Sequence, residues 1–165
     1  MKTKAKRIRA RVGDVFVVPI SADERVYGQM VDQAGPQFLA VLFGSTSGSV
    51  DDGVRSGTQL AGIVFDAKWR NGEWPIIANL PPVKLKAPWF VLGHEGLENL
   101  RLANFDGSIT RQAAPSEASK HRHRHISYPM ALQWAAEAVH GRREWNEDLD
   151  FFRDLAIELD GDPAT

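Results

Sequence analysis

The stretch Gln37-Phe38-Leu39-Ala40-Val41-Leu42-Phe43 decides the fold, because almost every residue in it is apolar. A strand with one solvated face alternates polar and apolar residues, whereas a strand covered on both faces is continuously apolar. We therefore predict a central strand here that carries much of the core. Around it, across residues 12–112, short β-branched and aromatic runs are separated by Gly-rich or polar turns. This pattern favours a small antiparallel sheet, sandwich or barrel-like core.

Three further segments next to the central strand are assigned by the same signals. Residues 15–20 and 25–31 are β-rich runs separated by a polar turn, which predicts a hairpin. Residues 44–57 are rich in Gly and Ser and are predicted to form a mobile surface loop. Residues 60–67 then resume as a strand.

The sharpest turn signal is Lys68-Trp69-Arg70-Asn71-Gly72-Glu73-Trp74-Pro75. Asn-Gly tolerates the positive φ angles of a type I′ turn, so we predict a two-residue hairpin that pairs Trp69 with Trp74. The two indoles are expected to be half-exposed, with mutual packing as the main interpretation and a partner-binding anchor as the alternative. Asp106-Gly107 predicts a second hairpin between residues 100–105 and 108–112 by the same argument.

The pattern changes from strands to helices after residue 113. Residues 113–127 form a polar connector, and residues 129–140 have apolar spacing typical of a helix, with Trp134 expected in the core and Gly141 as a stop. Asn146 is a good N-cap for a second helix with an apolar stripe, which Gly161 ends. The sequence therefore predicts one α+β domain: a basic arm (1–11), an antiparallel β-domain (12–112), the connector (113–127) and a helical pair packed on the sheet (128–160).

Composition excludes several function classes. The chain has 165 residues, of which 43% are hydrophobic, and no cysteine, so disulfides, thiolate nucleophiles and cysteine-based metal sites are ruled out. Twenty Lys and Arg against 21 Asp and Glu give a net charge of −1, which offers no global attraction to nucleic acid or an anionic membrane. No secretory signal or membrane span is visible, so a cytoplasmic location is expected.

The segment His121-Arg122-His123-Arg124-His125 is the metal-like pattern in the chain. If extended, it points three imidazoles to one side, but no Asp or Glu adjoins them, so we interpret it as a solvated basic segment and predict no metal and no cofactor. Two alternatives stay open. One is a metal-dependent enzyme that uses His121, His123 and His125, and the other is a nucleic-acid-binding β-domain that uses residues 120–125 and the basic arm.

The Gly/Ser loop fails both enzyme motifs that it resembles in outline. A phosphate loop needs Lys after its second glycine and a nucleophile elbow needs a central Ser, whereas Ser49 and Thr46 stand at those positions. No catalytic residue is assigned anywhere in the chain. Asp51 and Asp52 beside this loop are turn residues in the simplest interpretation, and the loop is kept as a possible partner-binding surface.

The second predicted helix concentrates acidic residues. Asp150, Asp154 and Glu158, with Glu147 before them, follow i, i+3 and i+4 spacing and are expected to share one exposed face. Such a face imitates the charge of phosphate groups and would attract a basic protein surface. A solvated helix face is the competing interpretation.

One resemblance extends over residues 11–88. Arg11-Val12-Gly13-Asp14-Val15-Phe16-Val17-Val18-Pro19-Ile20, then Val26-Tyr27-Gly28-Gln29-Met30-Val31, and later Gly72-Glu73-Trp74-Pro75-Ile76-Ile77-Ala78-Asn79-Leu80-Pro81 resemble the strands of immunity protein 26 of bacterial polymorphic toxin systems. The resemblance implies a cytoplasmic antitoxin that binds a cognate toxin by stoichiometric occlusion, without catalysis or cofactor. It assigns no toxin-contact residue, and the oligomeric state is left open.

Overall fold

The computed structural model describes residues 8–92 and 100–160. The first part of the chain contains β1 (Asp14–Pro19), β2 (Arg25–Ala34), β3 (Gln37–Phe43), α1 (Val50–Arg55), β4 (Thr58–Phe65), α2 (Ala67–Arg70) and β5 (Ile76–Asn79). The second part contains β6 (Phe90–Leu92), β7 (Arg101–Ala103), β8 (Thr110–Gln112), α3 (Pro115–Ala118), β9 (Arg122–His123), β10 (Ile126–Ser127), α4 (Pro129–Val139), a 3-10 turn (Glu147–Leu149) and α5 (Asp150–Leu159). Within these ranges, no helix has the length and apolarity that a membrane crossing requires.

The strands form two open sheets. The larger has the order β10-β4-β3-β2-β1-β5 and the smaller the order β8-β7-β6-β9. All pairs are antiparallel except β10 with β4 and β6 with β9. The predicted α+β class, the β1–β2 hairpin and the pairing of β7 with β8 are confirmed, and within the described residues neither sheet closes into a barrel. The type I′ turn predicted at Asp106-Gly107 is wrong, because Gly107 has positive φ and Asp106 does not.

The central strand is buried on both faces, as predicted. Phe38, Ala40 and Leu42 of β3 lie in a first core, which is closed by α2 and α4. Leu39, Val41 and Phe43 point the other way into a second core, which contains residues of the smaller sheet. The two cores account for the continuous apolar sequence of β3.

Helix α5 connects the two cores at the β4 side of the sheet. Its Phe152 lies in the first core, whereas Leu155 and Leu159 lie in the second. Gly62 of β4 permits this close approach, because a Cβ atom at that position would lie 2.9 Å from the Phe152 ring. The helix and β10 together cover β4, which would otherwise present an open edge.

The predicted tryptophan hairpin is wrong. The segment forms helix α2, which ends at its C-cap Asn71 and is followed by Gly72 at φ +74°. The N–H of Gly72 and the N–H after it donate to the carbonyls of Trp69 and Lys68 at 3.0 and 2.9 Å, which are the two hydrogen bonds of a Schellman helix end. A type I′ turn needs positive φ at both central residues, and Asn71 has φ −85°.

The two indoles do pair, but inside the protein. Trp69 and Trp74 are both 0% exposed and meet edge to face with ring centroids 5.5 Å apart. Both also contact the ring of Phe16. The expected half-exposure is therefore wrong, because a helix turn directs both side chains into the first core.

Three other expectations need correction. The Gly/Ser loop contains α1, and the polar connector contains α3, β9 and β10, whose two-residue strands are too short to show a periodic pattern. Trp134 is 41% exposed, because α4 buries the face that contains Leu132 and Ala135. Residues 1–7 of the basic arm and Gly161 lie outside the described residues.

A buried amide fixes the chain after β5. Gln29 in β2 is 1% exposed, and its Nε2 donates to the carbonyls of Gly13, Leu80 and Pro81. Its Oε1 accepts from the N–H of Val83 at 3.0 Å. These bonds satisfy backbone groups of a segment that has no sheet partner and so hold that segment against the sheet.

We expect Trp74→Ala to lower the free energy of unfolding by about 3–5 kcal/mol, because it leaves a cavity beside Trp69 and Phe16. The exposed Trp134→Ala is the matched control, with an expected cost below about 1 kcal/mol. Denaturant titration of both variants measures the difference. Equal midpoints would contradict the buried position of Trp74.

We expect Gly62→Ala to cost about 1–3 kcal/mol, because its methyl group meets the Phe152 ring. Gly44→Ala is the control, since the nearest atom to its added Cβ lies 3.8 Å away. Thermal unfolding in the parent and in a Phe152→Leu background tests the cause. A penalty of the same size in both backgrounds would show that α5 does not cross β4 at this glycine.

Candidate functional site

The sequence-predicted tryptophan anchor is not on the surface. Trp69 and Trp74 are enclosed in the first core, and the Trp74 Nε1–H donates to Gln133 Oε1 of α4 at 3.1 Å. Their role is therefore packing, the main interpretation of the sequence. Neither indole is available to a partner in the folded protein.

The acidic pair in the loop has a structural role at one of its two positions. The Ser49 N–H donates to Asp52 Oδ2 at 2.9 Å and the Asp52 N–H donates to Ser49 Oγ at 3.3 Å, which together form a capping box at the start of α1. The Ser49 hydroxyl also donates to Asp52 Oδ2 at 2.8 Å. These hydrogen bonds hold the pKa of Asp52 below its ordinary value. Asp51 is exposed in the first turn of the same helix and remains accessible.

The two arginines of the histidine segment are used internally. The guanidinium of Arg122 forms an ion pair with Glu158 of α5 at 3.0 Å. Arg124 donates to Gln37 Oε1 and lies 4.9 Å from the ring centroid of Phe105, and burial lowers its pKa. The prediction of a fully solvated basic segment is therefore wrong for these two side chains, because β9 and β10 draw this segment into both sheets.

The three histidines of this segment are not brought together as a ligand set. His121 is half-buried, His123 lies in β9, and the ring of His125 packs edge to face against Phe151 at 5.1 Å. In the ranges 8–92 and 100–160, no group of three His, Asp or Glu side chains is close enough to hold a metal ion.

The acidic stripe is present on α5, with different surroundings at each position. Asp154 is exposed at the middle of the helix. Asp150 accepts from the Trp145 Nε1–H at 2.8 Å, and Glu158 is half-buried against Arg122. Among the three acids of α5, Asp154 is therefore the one whose side chain makes no hydrogen bond or ion pair within the described part of the chain.

A surface cleft of about 500 Å³ opens directly beside this stripe. Helix α5 forms one wall with Asp154, Ile157 and Glu158. Ile157, in the last turn of the helix, is 67% exposed. This wall therefore combines an exposed carboxylate with an exposed apolar side chain.

The opposite wall is basic and aromatic. It consists of Lys86 and Trp89 from the segment before β6 and of Lys120 and His121 from the turn after α3. Lys86 and Trp89 were not identified from the sequence as binding residues, and Lys120 and His121 were considered only for nucleic-acid or metal binding. The two parts of the wall lie more than 30 positions apart, so no local spacing signals that they meet.

We expect the Arg122–Glu158 pair that joins α5 to β9 to contribute a coupling free energy of about 1 kcal/mol in a double-mutant cycle with alanine. The more exposed pair Arg111–Glu117 is the control, with a smaller expected coupling because solvent screens its charges. Urea titration of the single and double variants measures both values. Equal coupling in the two cycles would contradict a special role for the inner pair.

Comparison with known proteins identifies no significant relative of this chain. No protein-family model matches the chain, no curated protein matches it significantly, and no solved structure matches it significantly. The resemblance to immunity protein 26 remains an expectation that is based on the residues between positions 11 and 88.

Proposed function

We propose that this chain is an immunity protein, which binds a cognate toxin of a polymorphic toxin system and blocks it by stoichiometric occlusion. Two independent features support the proposal. One is the resemblance of residues 11–88 to immunity protein 26. The other, which carries the most weight, is the exposed acidic stripe that α5 holds on a rigid frame.

The charge of the stripe suits a basic partner. Toxins that attack nucleic acids present a basic active-site surface, and an acidic helix face that mimics phosphate charge accelerates association with such a surface. Glu144, Glu147, Asp148, Asp150 and Asp154 are all exposed, with Arg153 as the one basic residue of α5. Arg153 lies over the ring of Trp145 at 3.9 Å.

The rigidity of the stripe supports the same role. Because α5 places side chains in both cores, its exposed face cannot move without disturbing the packing of the whole sheet. A preorganised surface loses little conformational entropy on binding, and this favours tight complexes.

The internal use of the basic side chains disfavours a nucleic-acid-binding role. Arg122 contacts Glu158, and Arg124 contacts Gln37 and Phe105, so neither guanidinium is displayed to a phosphate backbone. The solvent-facing charge beside them on α5 is negative, which repels nucleic acid.

Co-expression with a toxin domain encoded next to the gene of this chain tests the proposal. The parent chain is expected to restore growth, and Glu147→Lys with Asp154→Lys is expected to abolish protection and to slow association at low salt about 10-fold or more. These two acids are chosen because Asp150 and Glu158 make structural contacts. Circular dichroism verifies that the variant folds.

Asp23→Lys is the control, since it reverses an exposed charge that does not line the cleft beside α5. It is expected to protect like the parent, and a separate Asp51→Lys variant tests the loop as the rival surface. Protection by the α5 variant at parental affinity would exclude the acidic stripe as the interface. If the parent protects against no neighbouring toxin domain, the immunity function itself is wrong.

A further inference from the structure

The cleft beside α5 has walls of opposite charge. Arg122 and Glu158, which both line it, neutralise each other in an ion pair at 3.0 Å. This pairing leaves Lys86 and Lys120 on one wall and Asp154 on the other. The binding face is therefore dipolar, with the acidic stripe of α5 flanked by a basic strip.

The cleft also offers an apolar contact between the charged walls. Ile157 projects from α5, and the half-buried Trp89 lies on the facing wall. Residues that dominate the affinity of protein interfaces are commonly aromatic or aliphatic side chains surrounded by polar groups that exclude water. The arrangement of Ile157 and Trp89 between charged rims matches that organisation.

Both walls are held in place before any partner arrives. The backbone N–H of Lys86 donates to the carbonyl of Leu159 in the last turn of α5 at 2.9 Å. The guanidinium of Arg111 lies 5.2 Å from the centroid of the Trp89 ring and forms an ion pair with Glu117 of α3. The Lys86 hydrogen bond and the Arg122–Glu158 ion pair thus join the basic wall to α5, and the Arg111 contact packs against Trp89 within that wall.

We propose that this cleft receives one segment of the partner protein, which places an apolar side chain between Ile157 and Trp89. On either side of that anchor, the segment presents an acidic side chain to Lys86 and Lys120 and a basic side chain to Asp154. The proposal rests on the immunity function above and specifies it: the toxin surface must itself be dipolar, and uniformly basic surfaces are rejected by the two lysines.

Binding of the toxin domain from the protection assay tests the proposal through two matched pairs of variants. Ile157→Ala is compared with Ile109→Ala, and Lys86→Glu is compared with Lys84→Glu, because Ile109 and Lys84 are exposed and do not line the cleft. We expect each cleft variant to lose affinity about 10-fold or more and each control to stay within about 2-fold of the parent. Added salt should weaken the effect of Lys86→Glu and leave that of Ile157→Ala unchanged, since only the first is electrostatic.

All four positions are solvent-exposed, so the variants are expected to keep the parental melting temperature, which is measured first. Parental affinity of both cleft variants, together with loss of protection on charge reversal of α5, would overturn the cleft proposal and leave the immunity function standing. Failure of the parent chain to bind or protect would overturn both. Equal losses in the cleft variants and their controls would also contradict a specific role for the cleft.

Discussion

Strand β3 is apolar on both faces, so it is stable only when other parts of the chain pack against each face. The rest of the structure depends on this requirement. On one face the cover is the first core, where α4 contributes Leu132, α2 contributes Trp69 and the turn after α2 contributes Trp74. On the other face it is the second core, with the smaller sheet and the C-terminal half of α5. Two sheets and the helices around them follow from one continuously buried strand.

Helix α5 helps to cover β3 and also forms part of the protein surface. Its inner side chains are divided between the two cores, and this division is possible because Gly62 has no side chain to obstruct Phe152. The same geometry turns the opposite side of the helix outward, with Asp154 and Ile157 exposed. The packing that stabilises the sheet is thus also what positions the proposed binding face.

Polar contacts determine what lies next to that face. Gln29 anchors residues 80–83, from which the chain continues to Lys86 on the basic wall. Arg122 of β9 forms an ion pair with Glu158 of α5, so these two charges of the cleft neutralise each other. The dipolar character of the surface therefore depends on which charged residues pair internally, and the net charge of −1 gives no indication of it.

The sequence by itself determined the α+β class, the central position of β3, the β1–β2 hairpin and the cap at Asn146, because each depends on residues that are neighbours in the chain. The acidic spacing on α5 was visible for the same reason. The turn type at Asn71-Gly72 could not be assigned from the local sequence, because Asn-Gly suits both a hairpin turn and a helix end. In the structure it forms the helix end, and Trp69 and Trp74 are buried in the first core. Tertiary structure alone decided that β9 and β10 join different sheets and that Lys86, Lys120 and Ile157 share a cleft. Contacts between residues that lie tens of positions apart depend on packing, which local periodicity does not record.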